Sequence, residues 1–146
     1  MTTIVYDHER NQIACDSRLN ADGVVLTDKA VKWKKKDDGS VWFFTGNPAD
    51  DERLMSLNHD DKPEVKPNSN AIYAKDGCAY LVTFDGDYCS HTKLEYNHSI
   101  GSGWKFALAA LDFSLETEDA VKYASQKDCF TGGEVLLFCV KSGSFK

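Results

Sequence analysis

The sequence predicts an α+β fold, with helices packed outside one or two mostly antiparallel sheets. Three observations predict it. Short segments rich in β-branched and aromatic residues, divided by polar turns, fill most of the first two thirds. Two amphipathic stretches lie together near the C-terminal end instead of alternating with strands. A last apolar run, Val135 to Val140, follows them. With 146 residues, the chain has the length of one domain, spanning 1–146, and can bury a single core.

Taken in order, Thr2 to Asp7 is a strand of β-formers, and His8-Glu9-Arg10-Asn11 is a polar turn into a second strand, Gln12 to Ser17. Val24 to Thr27 and Ala30 to Lys35 are short strands. In the second, alternation sets Val31, Trp33 and Lys35 on one face and Lys32, Lys34 and Lys36 on the other. Val41-Trp42-Phe43-Phe44 reads as a buried strand, ended by Thr45-Gly46-Asn47-Pro48. A helix is expected from about Ala49 to Asn58, with Asp50, Asp51 and Glu52 suiting its N-terminal dipole. His59 to Asn70 holds two prolines and reads as loop.

Ala71 to Tyr73, Ala79 to Phe84 and Tyr88 to Leu94 are the next strands. Ser99 to Gly103 is a small-residue turn into a helix whose stripe is expected to be Phe106, Ala109, Ala110 and Phe113. Thr117 is placed to cap a second helix with Ala120, Val121 and Ala124 on its apolar face. Thr131-Gly132-Gly133 leads into the last strand.

Composition excludes several roles. The net charge of -6 favours neither nucleic acid nor an anionic membrane as partner. No apolar run approaches the roughly 20 residues that span a bilayer, and the start has no secretory pattern. Five scattered cysteines without a Cys-x-x-Cys pair fit reduced thiols, hence a cytoplasmic setting. Asp85-Gly86-Asp87 lacks the other ligands of a calcium loop, and Cys89 and His91 lack partners at zinc spacing, so neither metal nor cofactor is expected.

The start of the chain carries chemistry. If Met1 is removed, Thr2 becomes the first residue and bears both a hydroxyl nucleophile and a free α-amine able to act as its base. That amine has an ordinary pKa of about 7.7–8.0 and is partly neutral near pH 7. Further along come Ala14-Cys15-Asp16-Ser17-Arg18, Lys32 within Ala30-Val31-Lys32-Trp33, Gly46 after a buried strand, Ile100-Gly101-Ser102-Gly103 and Asp128-Cys129-Phe130-Thr131-Gly132-Gly133. In this order the set resembles a proteasome β-type subunit. It is similar to the bacterial HslV peptidase and to compact proteasome-like proteins of phages, all N-terminal nucleophile (Ntn) hydrolases. The likeness is strongest in the first and last thirds. In the middle, the two long helices usual after the strand before Gly46 are replaced by one short helix and a proline-containing loop.

The resemblance implies an αββα sandwich with one helical layer reduced. It implies a threonine peptidase acting on peptides or unfolded protein, needing no cofactor. Thr2 is then the nucleophile, Lys32 the cation beside its hydroxyl, and Asp16 the counter-charge that a buried lysine requires. The amide of Gly46 is the oxyanion donor. Ser102, Asp128 and Thr131 form a polar network around the Thr2 amine, and Arg18 braces the site by ion pairing. Cys129, beside Asp128, reads as an inert thiol. The resemblance further implies a homo-oligomer, with an ATPase unfoldase as possible partner. Two other readings share the fold: a catalytically silent binding or inhibitory protein, and an amidase acting on a small molecule.

Overall fold

The computed structural model describes residues 2–146; the expected removal of Met1 falls outside the described residues. Two five-stranded antiparallel sheets stack face to face. The first has the order β10-β1-β2-β11-β12, built from β1 (Thr3–Asp7), β2 (Gln12–Cys15), β10 (His98–Gly101), β11 (Leu136–Cys139) and β12 (Ser144–Phe145). The second runs β5-β6-β7-β8-β9, from β5 (Trp33–Lys35), β6 (Val41–Gly46), β7 (Ser69–Lys75), β8 (Cys78–Asp85) and β9 (Tyr88–Lys93). A separate hairpin pairs β3 (Leu19–Ala21) with β4 (Val24–Thr27).

Period-two alternation builds three apolar layers from these strands. Ile4, Tyr6, Ile13, Cys15 and Phe138 point from the first sheet toward Val41, Phe43 and Ile72 of the second. Their neighbours Val5, Ala14 and Leu137 point the other way, onto α2 (Trp104–Asp112) and α3 (Thr117–Lys127). Trp42, Phe44, Ala71, Tyr73 and Val82 face outward from the second sheet. There the cover is one five-residue helix, α1 (Asp51–Met55), which contributes Leu54. The order helix–sheet–sheet–helix with one thin helical layer is the architecture expected. β1 is buried along its whole length because both of its faces are covered.

Several details differ from the sequence reading. The helix read from Ala49 to Asn58 is a 3₁₀ turn, Pro48–Asp50, followed by α1 alone. Residues 98–101, read partly as turn, form β10, which pairs with β1. The stripe of α2 is Ala107, Ala110 and Leu111, whereas Phe106 is 38% and Phe113 81% exposed. Thr117 is the first residue of α3, after Glu116 at the cap position, and its hydroxyl donates to Asp7 across to β1. Val31 precedes β5 and is exposed. All five cysteines are free thiols. Among the described residues, no helix is long and apolar enough to cross a membrane.

Candidate active site

Strand pairing fixes where the N-terminal residues sit. Thr3 opens β1 between β2 and β10, opposite Gly101. That neighbour must be glycine: a Cβ there would stand 1.7 Å from the carbonyl oxygen of Thr2, and its φ is +98°. Thr2 itself is 5% exposed.

Asp16 immediately follows β2 and is buried. Its Oδ1 accepts the Thr3 amide at 3.1 Å and the Lys32 ammonium at 2.9 Å, while Oδ2 accepts the Gly132 amide at 3.0 Å. Both oxygens are therefore occupied, as a buried carboxylate requires. Lys32 comes from the other sheet. It immediately precedes β5, and its carbonyl accepts the Phe44 amide at 2.9 Å, extending the pairing with β6. The Asp16–Lys32 pair thus closes one end of the sandwich from both sheets, with only 9% of the Lys32 side chain exposed.

Thr2, Lys32 and Gly46 line one pocket of about 220 Å³. The β3–β4 hairpin and the segment after it contribute Leu19, Asn20, Ala30 and Val31; the end of β6 contributes Phe44, Thr45 and Gly46; Pro48 and Asp51 close the side toward α1. Gly46 has φ +112°, and a Cβ would stand 2.6 Å from the Asn68 carbonyl oxygen. Backbone therefore forms that part of the wall.

Ser102, Asp128 and Thr131 meet beside Thr3. Asp128 Oδ2 accepts the Ser102 hydroxyl at 2.5 Å and the Thr131 hydroxyl at 2.7 Å; Oδ1 accepts the Phe130 amide at 3.2 Å. Burial pushes the Asp128 carboxyl up, but the hydrogen bonds from Ser102, Thr131 and Phe130 outweigh it, leaving it below the usual carboxylate range. Thr131 also lies 2.7 Å from the Thr3 hydroxyl, so its contact with the N-terminal strand is to Thr3. Gly103 leaves room for that contact: its Cβ would stand 2.3 Å from Thr3 Oγ1. Ser102 is engaged with Asp128 and does not cap α2, whose cap residue is Gly103.

Arg18 ion-pairs, with a partner that sequence reading missed. Its Nε and Nη2 donate to the two oxygens of Asp28 at 2.8 and 3.1 Å, and Nη1 donates to the Cys129 carbonyl at 3.1 Å. The guanidinium lies against Gly132, where a Cβ would stand 2.4 Å from Cζ. Arg18 so braces the segment whose amide holds Asp16. Asp28 stands beyond the β3–β4 turn, and no spacing rule links it to Arg18; the hairpin brings them together. Asp51, read only as a first-turn acid, is the other residue missed. Among the described residues, no cluster of three or more metal-ligating side chains occurs.

Neither a protein-family model nor a curated protein matches the chain in sequence. Solved structures match it in fold. HslV from Trypanosoma brucei superposes with a TM-score of 0.70 at 18% identity, over 93% of this chain and 97% of that one. BPH of Thiobacillus denitrificans in complex with epoxomicin gives 0.66 at 16%, over 94% and 96% of the two chains. The same protein in another structure gives 0.67 at 16%, over 94% and 95%. The chain shares the αββα fold of these HslV and BPH structures over nearly its full length.

Proposed function

We propose that this HslV-like fold carries a threonine peptidase whose nucleophile is the Thr2 hydroxyl, made competent by removal of Met1. One observation carries the reading: Thr2, Lys32 and Gly46 share a pocket, and the lysine is anchored by an Asp16 that also accepts the amide next to Thr2.

In this reading Thr2 Oγ1 attacks the carbonyl carbon of a peptide bond, and its proton passes, through a water, to the α-amine of the same residue. Lys32 lowers the cost of the alkoxide. A cation about 4 Å away, at an effective dielectric near 20, contributes roughly 4 kcal/mol before desolvation. The amide of Gly46 donates to the oxyanion, an interaction of about 2.7–4 kcal/mol in the transition state. Collapse expels the amine product, which takes its proton from the Thr2 ammonium. Water, deprotonated by the same amine, then hydrolyses the ester on Thr2. The Ser102–Asp128–Thr131 network positions that amine through Thr3.

Peptides and unfolded segments are the substrates in this reading. Self-association into a homo-oligomer is expected, with an ATPase unfoldase feeding it. The thin layer over the second sheet removes a helix from any such contact. Light scattering checks this: a strict monomer at micromolar concentration would contradict it.

The decisive experiment pairs intact mass with fluorogenic peptide cleavage. Chains lacking Met1 should cleave, and epoxomicin, held by the Thiobacillus protein in its complex, should block them. Thr2→Ala and chains retaining Met1 should be silent. Failure of every Met1-free preparation to cleave, in any assembly state, would leave the silent binding protein as the better reading.

A further inference from the structure

The pocket that holds Thr2 contains a second charged feature. Asp51 lines it, is only 7% exposed, and is held by one hydrogen bond, from Ser69 Oγ to its Oδ1 at 3.0 Å. Its neighbours in sequence are differently placed. Asp50 pairs with Arg53 at 3.2 Å and Glu52 with Lys34 at 3.0 Å. Among the described residues no cation stands within ion-pairing distance of Asp51, and the lysine of the same pocket is anchored to Asp16. Burial pushes the Asp51 carboxyl up, more than Ser69 and Lys34 pull it down. A carboxylate in this position is stabilised by any cation that enters the pocket.

We infer that Asp51 makes this pocket selective for a cationic side chain, arginine or lysine, on the residue whose carbonyl Thr2 attacks. The inference rests on the peptidase reading above. Its geometry follows from covalent structure. The attacked carbonyl carbon must lie at Thr2 with its oxygen toward Gly46, and the side chain of that residue branches from the adjoining Cα, its Cβ two bonds away. It therefore enters this pocket, whose lining includes Phe44, Pro48 and Asp51. The apolar wall from Phe44 and Pro48 suits the methylene stem of a long basic side chain, and Asp51 suits its head. Glutamate at that substrate position would meet an unpaired carboxylate and be rejected.

The test uses fluorogenic peptides identical except for arginine, lysine, leucine or glutamate at the residue before the cleaved bond. The Met1-free protein should show kcat/KM for arginine at least about tenfold above leucine and higher still above glutamate. The reading of interest is the arginine-to-leucine ratio, which does not depend on how much enzyme is active. Asp51→Asn, which can still accept from Ser69, should lower that ratio by about tenfold or more. Asp51→Ser serves as a second variant if the first folds poorly. An unchanged ratio would overturn the inference while leaving the peptidase intact. If nothing is cleaved, the peptidase reading has failed, and binding of N-acetyl-arginine amide decides the pocket separately. Amide NMR shifts at Asp51 and Ser69 that vanish in Asp51→Asn support it; absence of shifts at millimolar ligand overturns it.

Discussion

Asp16 reaches Lys32 and Thr3 through one oxygen: Oδ1 accepts the lysine ammonium at 2.9 Å and the threonine amide at 3.1 Å. The cation of one sheet and the N-terminal strand of the other are thereby referred to a single atom. Any shift of Asp16 moves both relative to the pocket. The ion pair consequently fixes the geometry of the site as well as supplying its charge.

Removing the carboxylate should therefore harm folding and activity together. Asp16→Ala leaves a largely buried ammonium and two buried amides without their acceptor, which in comparable cases costs about 3–5 kcal/mol. Urea unfolding should show that loss. Lys32→Met removes the cation while keeping the stem, and should reduce kcat/KM by roughly a hundredfold or more. A Lys32→Met protein that cleaves at the wild-type rate would exclude the lysine from catalysis.

Glycine substitutions separate two kinds of crowding near the site. At Gly101 the new Cβ meets the Thr2 backbone, 1.7 Å from its carbonyl oxygen, and φ is +98°. Neither can relax without moving the N-terminal strand. Gly101→Ala should lower stability by about 3 kcal/mol or more and abolish cleavage. At Gly132 the Cβ meets the guanidinium of Arg18, the end of a flexible side chain. Gly132→Ala should cost about 1–2 kcal/mol and retain partial activity. Thermal unfolding and cleavage rates of the two variants, measured side by side, check the order.

How far the sequence anticipates the structure depends on the kind of signal. Ile4, Val5, Ile13, Val41 and Phe43 announce their strands because their apolar and branched side chains fill both sheet faces. Asp16, Lys32 and Gly46 were singled out through resemblance, since short motifs carry them; the structure pairs the first two and sets Lys32 and Gly46 around one pocket with Thr2. The α2 stripe was not. Size drew attention to Phe106 and Phe113, but α2 and α3 pack closely against β1 and β2, where alanines fit. β10 was hidden because Gly101 looks like a turn residue, whereas it allows β1 to approach. Asp28 and Asp51 were missed for one reason: each acts through a partner or cavity assembled by tertiary structure.

The network around Asp128 predicts a pH dependence. Its carboxyl is held below its ordinary value of 3.8, chiefly against burial, by Ser102, Thr131 and Phe130. A depressed folded-state pKa stabilises the fold in full above the unfolded value and loses that contribution as pH falls through the folded value. The stability difference between wild type and Asp128→Asn should therefore be constant from neutral pH down to about 4 and shrink below it. Urea midpoints at a series of pH values check this. A difference that grows as pH falls would mean that the folded-state pKa is raised, with burial outweighing these donors.

Arg18 gives a test of positioning without chemistry. Its fork grips both oxygens of Asp28 and the Cys129 carbonyl, and its plane lies against Gly132, the residue whose amide binds Asp16. Lysine cannot reproduce that fork. The pair is well exposed, with 44% of the Asp28 side chain accessible, so melting temperature should hardly change in Arg18→Lys or Asp28→Ala. Cleavage should nonetheless slow several-fold in each, because the segment carrying Gly132 loses its brace. If the two residues act through one another, the double variant should be no slower than the worse single variant. Additive losses would mean that Arg18 and Asp28 serve the site independently, with Arg18 acting mainly through the Cys129 carbonyl.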